Sequence, residues 1–234
     1  MSYSTSKCLF IALLFLFFAA TTVSAQNGEK IIKTGSFNEL SVSGKFEITL
    51  VKGDSESLTI MQTSIDPANV EVKLSSTKLL LTLKKNKKNE DVAVLIITYK
   101  QLQSIEANYE ASITFETLQA KNLNLSASIN SVIKGEIQAQ TLTAKATSES
   151  KIILTGNVTH QEATIKWDSV FDALQMKSKS AQVVAGAFGY AKVFVTDVLD
   201  ATVKTGGDIA YAGTPNTIKK SVSTGGNLNE ISAD

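Results

Sequence analysis

Asp197, Asp200 and Asp208 lie within twelve residues of one another and are the acids to weigh first as a catalytic group. Paired carboxylates at the right separation cleave a glycosidic bond, and carboxylates holding Ca²⁺ beside a strong base act on acidic polysaccharides. With turns of about 20 residues, Asp208 would approach the layer of Asp168, Asp172 or Glu149. No compact acidic motif results, and Arg, a natural lyase base or substrate clamp, is absent. A solvated acidic edge is the plainer reading. His160 is the sole histidine and Cys8 the sole cysteine, so a zinc site has no partners to recruit. No serine sits in a nucleophile elbow that could use His160 as its base. The residues therefore imply no catalytic group, no metal and no cofactor.

Trp167 is the one residue whose type suggests ligand contact, because an exposed indole stacks on a sugar ring. It stands in the run Thr164-Ile165-Lys166-Trp167-Asp168, which alternates like a strand, where a lone aromatic is ordinarily packed. Ser126, Ser128, Ser131, Thr147, Ser148, Ser150, Ser178 and Ser180 recur at intervals that would stack as hydroxyl ladders. Such ladders serve either tight turns or a face able to hydrogen-bond glycans, and turn chemistry is the simpler assignment. Gly206-Gly207-Asp208 and Gly225-Gly226-Asn227 repeat at a spacing of 19, each just before an apolar position. They read as equivalent turns that need glycine, as does Gly213 in the segment between them. A phosphate-cradling loop would need a helix behind it, and none is indicated.

These residues must be held by strands. The chain has two prolines, Pro67 and Pro215, and alternating or β-branched segments throughout. From about residue 30 to 100 it reads as antiparallel hairpins. Phe46 to Val51 and Leu58 to Met61 flank the turn Lys52 to Glu56, and Leu79 to Leu83 can pair with Val92 to Tyr99 across Lys84-Lys85-Asn86-Lys87-Lys88. That basic run precedes Glu90-Asp91 and reads as a solvated turn. From about 101 to 232 the pattern becomes a weak repeat. Ile113, Val132, Ile152, Val193, Ile209 and Leu228, with a weaker unit at Phe171 and Ala173, recur at about 16 to 21 residues. One such unit cannot bury its own apolar face, whereas stacked units bury a continuous core, so the fold class is all-β, a parallel β-helix.

Lys7 and the apolar run Cys8 to Ala20 read as the start of a signal peptide, with Val23-Ser24-Ala25 as its cleavage site. The run is too short to span a bilayer. Residues 1–25 are assigned to the leader and 26–234 to a single domain. Lys7 is one of 23 basic residues, so its removal leaves 22 lysines against 22 acids. Near-zero charge without Arg disfavours nucleic acid as a partner. The exported chain has no cysteine, and its stability must come from packing and backbone hydrogen bonds.

The run Thr205-Gly206-Gly207-Asp208-Ile209-Ala210-Tyr211-Ala212-Gly213-Thr214-Pro215, followed by Ser221-Val222-Ser223-Thr224-Gly225-Gly226-Asn227, resembles the close of the head GIN domain family. Phe37-Asn38-Glu39-Leu40-Ser41-Val42-Ser43-Gly44 resembles its first strand and turn. The family comprises exported bacterial domains, common in Bacteroidetes, that carry the label "putative auto-transporter adhesin". The resemblance spans roughly residues 30 to 230 and implies a right-handed parallel β-helix preceded by antiparallel strands. It brings no catalytic residues. Ser126-Ala127-Ser128 and Ala146-Thr147-Ser148 stand where the family favours glycine, and 234 residues leave no room for a many-stranded outer-membrane barrel.

The expected function is an exported, non-catalytic solenoid acting by surface contact as an adhesin or a glycan- or envelope-binding scaffold, in the periplasm or at the cell surface. A carbohydrate-active enzyme on a β-helix is the alternative. The last strand edge, close to Asp234, is a candidate surface for a homodimer.

Overall fold

The computed structural model describes residues 30–61, 66–84 and 92–232. The signal segment and most of the Lys-rich turn lie outside them. Sixteen strands are linked through a continuous network of pairing. In chain order they are β1 Lys30–Lys33, β2 Glu39–Ser43, β3 Phe46–Lys52, β4 Ser57–Ile60, β5 Val70–Ser75, β6 Lys78–Leu83, β7 Ala93–Tyr99 and β8 Ser104–Asn108. There follow β9 Ser112–Ser128, β10 Val132–Thr147, β11 Lys151–Lys166, β12 Val170–Gly186, β13 Tyr190–Val203, β14 Asp208–Ala212, β15 Thr217–Val222 and β16 Asn227–Glu230. The result is a parallel β-solenoid of about 7 turns with about 19 residues in each.

A strand of 17 residues such as β9 is too long to stay flat against one core. Its buried positions run 113, 115, 118, then 123, 125, 127, and this change of phase bends it around the core through its exposed middle. Each coil is thus half of one long strand, a tight turn, and half of the next. Stacking puts one inward column through Ile48, Ile113, Ile133, Ile152, Phe171, Ala191, Ile209 and Leu228. The column beyond the tight turn carries Leu125, Ala144, Ala163, Val183 and Ala201. Leu125 and Ile133 share a coil and are both large, but in the next four coils a large residue is set against a small one. Ala144 shares one with Ile152, Ala163 with Phe171, Val183 with Ala191, and Ala201 with Ile209. That complementarity keeps the side-chain volume of these two columns similar from coil to coil.

The register corrects two of the aligned positions. Ile133, not Val132, stands in the column, and Val193 belongs to the neighbouring column with Ala173 and Tyr211. Val132-Ile133 offers two adjacent apolar side chains, and a one-residue slip exchanges inside for outside.

The N-terminal part has the expected antiparallel hairpin character, but the two pairings read off the sequence do not form. β3 does not pair with β4; β7 lies between them, parallel to β3 and antiparallel to β4. β6 does not pair with β7 but with β2, in parallel, and with β5 in a true hairpin across Ser76-Thr77. β2 and β3 form a coil sandwiched between that of β6 and β7 on one side and that of β8 and β9 on the other. The antiparallel strands β1, β4 and β5 close the outer end. Capping strands that reverse direction are how this stack ends without presenting its core to water.

Candidate functional site

The tight turns stack into one straight edge. At each, two consecutive residues take the left-handed conformation: Tyr109-Glu110, Ile129-Asn130, Ser148-Glu149, Trp167-Asp168 and Ala187-Phe188. In the two later coils Gly206 and Gly225 supply it at φ +69° and +74°. Backbone bonds lock the ladder: Glu110 N–H donates to Ile129 C=O at 2.9 Å, Asn130 to Ser148 at 3.0 Å, Glu149 to Trp167 at 2.9 Å and Asp168 to Ala187 at 3.2 Å.

Behind the edge runs a buried column of small residues, Ser131, Ser150 and Ser169, then Gly189 and Gly207. The three serines are fully buried. Ser150 Oγ donates to Ala127 C=O at 2.8 Å and accepts from Thr147 N–H at 3.0 Å. Ser169 Oγ accepts from Ser150 N–H at 3.1 Å. At Gly189 and Gly207 the equivalent space is gone, for a Cβ would meet Ile165 O at 2.4 Å or Ala185 O at 2.5 Å. The buried serines of this column, Ser131, Ser150 and Ser169, are turn chemistry, and Ser169 was absent from the set read off the sequence.

In front of the edge the side chains are exposed, and several are large and apolar. Tyr109 and Trp167 are each 56 % exposed, Phe188 69 % and Ile129 36 %. Trp167 is thus neither in a strand nor packed. It stands at the turn, flanked by the exposed Asp168, with Glu149 one coil before and the Phe188 ring one coil after. At ~4.8 Å per layer, Tyr109 and Trp167 lie about 14 Å apart along the edge. Phe188 reaches over the next turn, since a Cβ on Gly206 would come within 2.9 Å of its ring. Glu110 adds an ion pair with Lys45 at 4.0 Å across the first rung. Aromatic faces beside carboxylate and amide oxygens are the combination that grips a sugar, ring face on π-face and hydroxyls on acceptors.

The acids are dispersed. Asp200 is in register with Gln182 and Lys219 on one face, and Asp208 with Tyr190 and Asn227 on another. Asp197 accepts from the Asn216 amide at 2.9 Å, and Asp172 pairs with Lys192 at 3.8 Å. His160 Nδ1 lies 2.6 Å from the Ser180 hydroxyl on an exposed surface. Ser178 is buried, with its hydroxyl accepting from Gln161 Nε2 and donating to Phe194 C=O, each at 2.8 Å. Burial holds the Tyr99 and Tyr211 phenols above the usual range; for Tyr211 the nearby Glu230 adds to the effect. Neither tyrosine belongs to the exposed edge. Among the described residues no helix is long and apolar enough to cross a membrane.

The family described as "Putative auto-transporter adhesin, head GIN domain" matches residues 36–215. A crystal structure of a "putative adhesin" from Bacteroides fragilis NCTC 9343 superposes with TM-score 0.79 at 19 % identity, covering 87 % of this chain and 96 % of that one. A "putative adhesin" from Parabacteroides merdae ATCC 43184 gives 0.66 at 17 %, covering 87 % and 95 %. A "putative lipid binding protein" from Parabacteroides distasonis ATCC 8503 gives 0.64 at 18 %, covering 87 % and 96 %. No curated protein matches the chain. At these identities the structural likeness establishes the fold.

Proposed function

The chain belongs to the head GIN domain family, and from that premise we propose that it is an exported, non-catalytic module that acts by surface contact and presents its aromatic corner to a glycan or envelope polysaccharide. The observation that carries the reading is the conformation of that corner. Ile129 and Trp167 hold left-handed φ angles of 52° and 54° while exposing apolar surface. A turn under no demand but stability would use Asn or Gly there. The leader at residues 1–25 supports export. The scattered acids support binding without turnover, because a glycosidase needs its two carboxyls on opposite sides of one bond.

A glycan and envelope-polysaccharide array, with soluble sugar release followed in the same wells, tests this. Retention without release is expected, falling about tenfold in Trp167→Ala, or about 1.4 kcal/mol, and further in Trp167→Ala/Phe188→Ala. Retention unchanged in the double variant would remove the corner from the binding surface. Release of sugar would make the protein an enzyme.

A further inference from the structure

The aromatic corner is a projecting edge whose repeat is that of the strand layers. Its backbone ladder runs on beyond Asp168, because Ala187 N–H donates to Thr205 C=O at 2.9 Å. From Tyr109 to the Gly206 turn is five layers, about 24 Å at ~4.8 Å each. Apolar side chains stand exposed at Tyr109, Ile129 and Trp167, and the Phe188 ring lies over the Gly206 turn. Interleaved with them, Asn130, Glu149 and Asp168 are exposed on three successive rungs, and each supplies an acceptor oxygen. Past Phe188 the equivalent position is Gly206 and then Gly225, which put no side chain in the way of a longer molecule. Sites for a single small molecule are concave and enclose most of it. A projecting edge does the opposite, and one sugar ring set on one rung keeps most of its surface in water. Affinity here has to come from several rungs engaging one molecule, and covalent linkage of the units makes every contact after the first intramolecular.

We infer that the corner selects linear glycans and binds them along their length, with the sugar chain parallel to the stacking axis and internal units on successive rungs. The inference rests on the glycan reading of the corner and names the class of glycan. An extended chain of pyranose units advances by roughly one ring per strand layer. Such a chain keeps ring faces over the apolar side chains and hydroxyls beside the acceptors between them. A chain end has no preferred place on an edge of this kind. A ligand shorter than about four units cannot reach both Tyr109 and Trp167, which are three layers, about 14 Å, apart.

Calorimetric titration with linear cello-, manno- and N-acetylchito-oligosaccharides, from the single sugar to about six units, tests this beside the glycan array. At least one series should gain affinity with each added unit and level off at about five units, and capping its reducing end as a methyl glycoside should change nothing. Trp167→Ala should weaken every length that binds. Tyr109→Ala should weaken the longest oligomer about three- to tenfold more than it weakens the trimer, the worth of one aromatic contact. A single sugar bound as tightly as the longest oligomer, or an equal loss at every length in Tyr109→Ala, would overturn the inference and leave the corner a glycan site. So would silence in all three series while the array shows Trp167-dependent retention of branched or terminal sugars alone. Oligomer binding untouched by Trp167→Ala/Phe188→Ala would overturn the corner reading itself, and silence in both the series and the array would overturn both.

Discussion

Ile129 and Trp167 are the residues at which folding and contact oppose each other most directly. A non-glycine residue in the left-handed region costs roughly 1–2 kcal/mol, and Asn avoids most of that by bonding to its own backbone. Ile129→Asn should therefore raise unfolding free energy by about 1 kcal/mol in chemical denaturation, as should Trp167→Asn, while the latter lowers the corner's glycan retention about tenfold. Destabilisation by both would mean that their side chains pack in the turn, and the corner would lose its claim to be a contact surface. Trp167 was legible in the sequence as a type, but its surroundings were not. Lys166-Trp167-Asp168 continues an alternating pattern, and a left-handed pair made without glycine or asparagine at Trp167-Asp168 leaves no local mark.

The corner column shows how one element solves the same steric problem in two ways. In one earlier coil the Ser150 hydroxyl bonds the Ala127 carbonyl of the preceding coil; in the later coils glycine leaves the equivalent carbonyl room. Ser150→Ala strands Thr147 N–H and should cost about 1–3 kcal/mol. Gly207→Ala drives a Cβ to 2.5 Å from Ala185 O and should cost a similar amount, about 1–3 kcal/mol. Thermal and denaturant unfolding check both, and a neutral Gly207→Ala would show that the later turns relax freely. The spacing of the two Gly-Gly motifs made this repeat readable, because close approach demands glycine whatever else the coil contains. Strand pairing in the N-terminal part was not readable. β3, β4, β6 and β7 all alternate alike, and pairing follows from the placement of the β2–β3 coil inside the stack, which no local pattern records.

At the scale of the molecule the two ends differ. The N-terminal end is closed by β1, β4 and β5, whereas the last coil, β15 and β16, leaves Ile218 and Val222 exposed at 41 % and 46 %. In register these two continue the buried positions Leu199 and Val203, and between them Lys220 continues buried Ala201. A charge on the inward side of a terminal strand is a known device against edge-to-edge pairing. Antiparallel self-pairing of β15 centred on Lys219-Lys220 would also set like charges opposite each other. A homodimer through this edge should therefore be weak, and strengthened by salt, which screens the lysines. Lys220→Val removes the inward charge and makes the strand end continuously apolar on its core side. Light scattering across a concentration series should show the variant associating at lower concentration than the parent chain, with less dependence on salt. If the variant associates no more readily, Lys220 is not what restrains the edge, and dimerisation through β15 loses its physical basis.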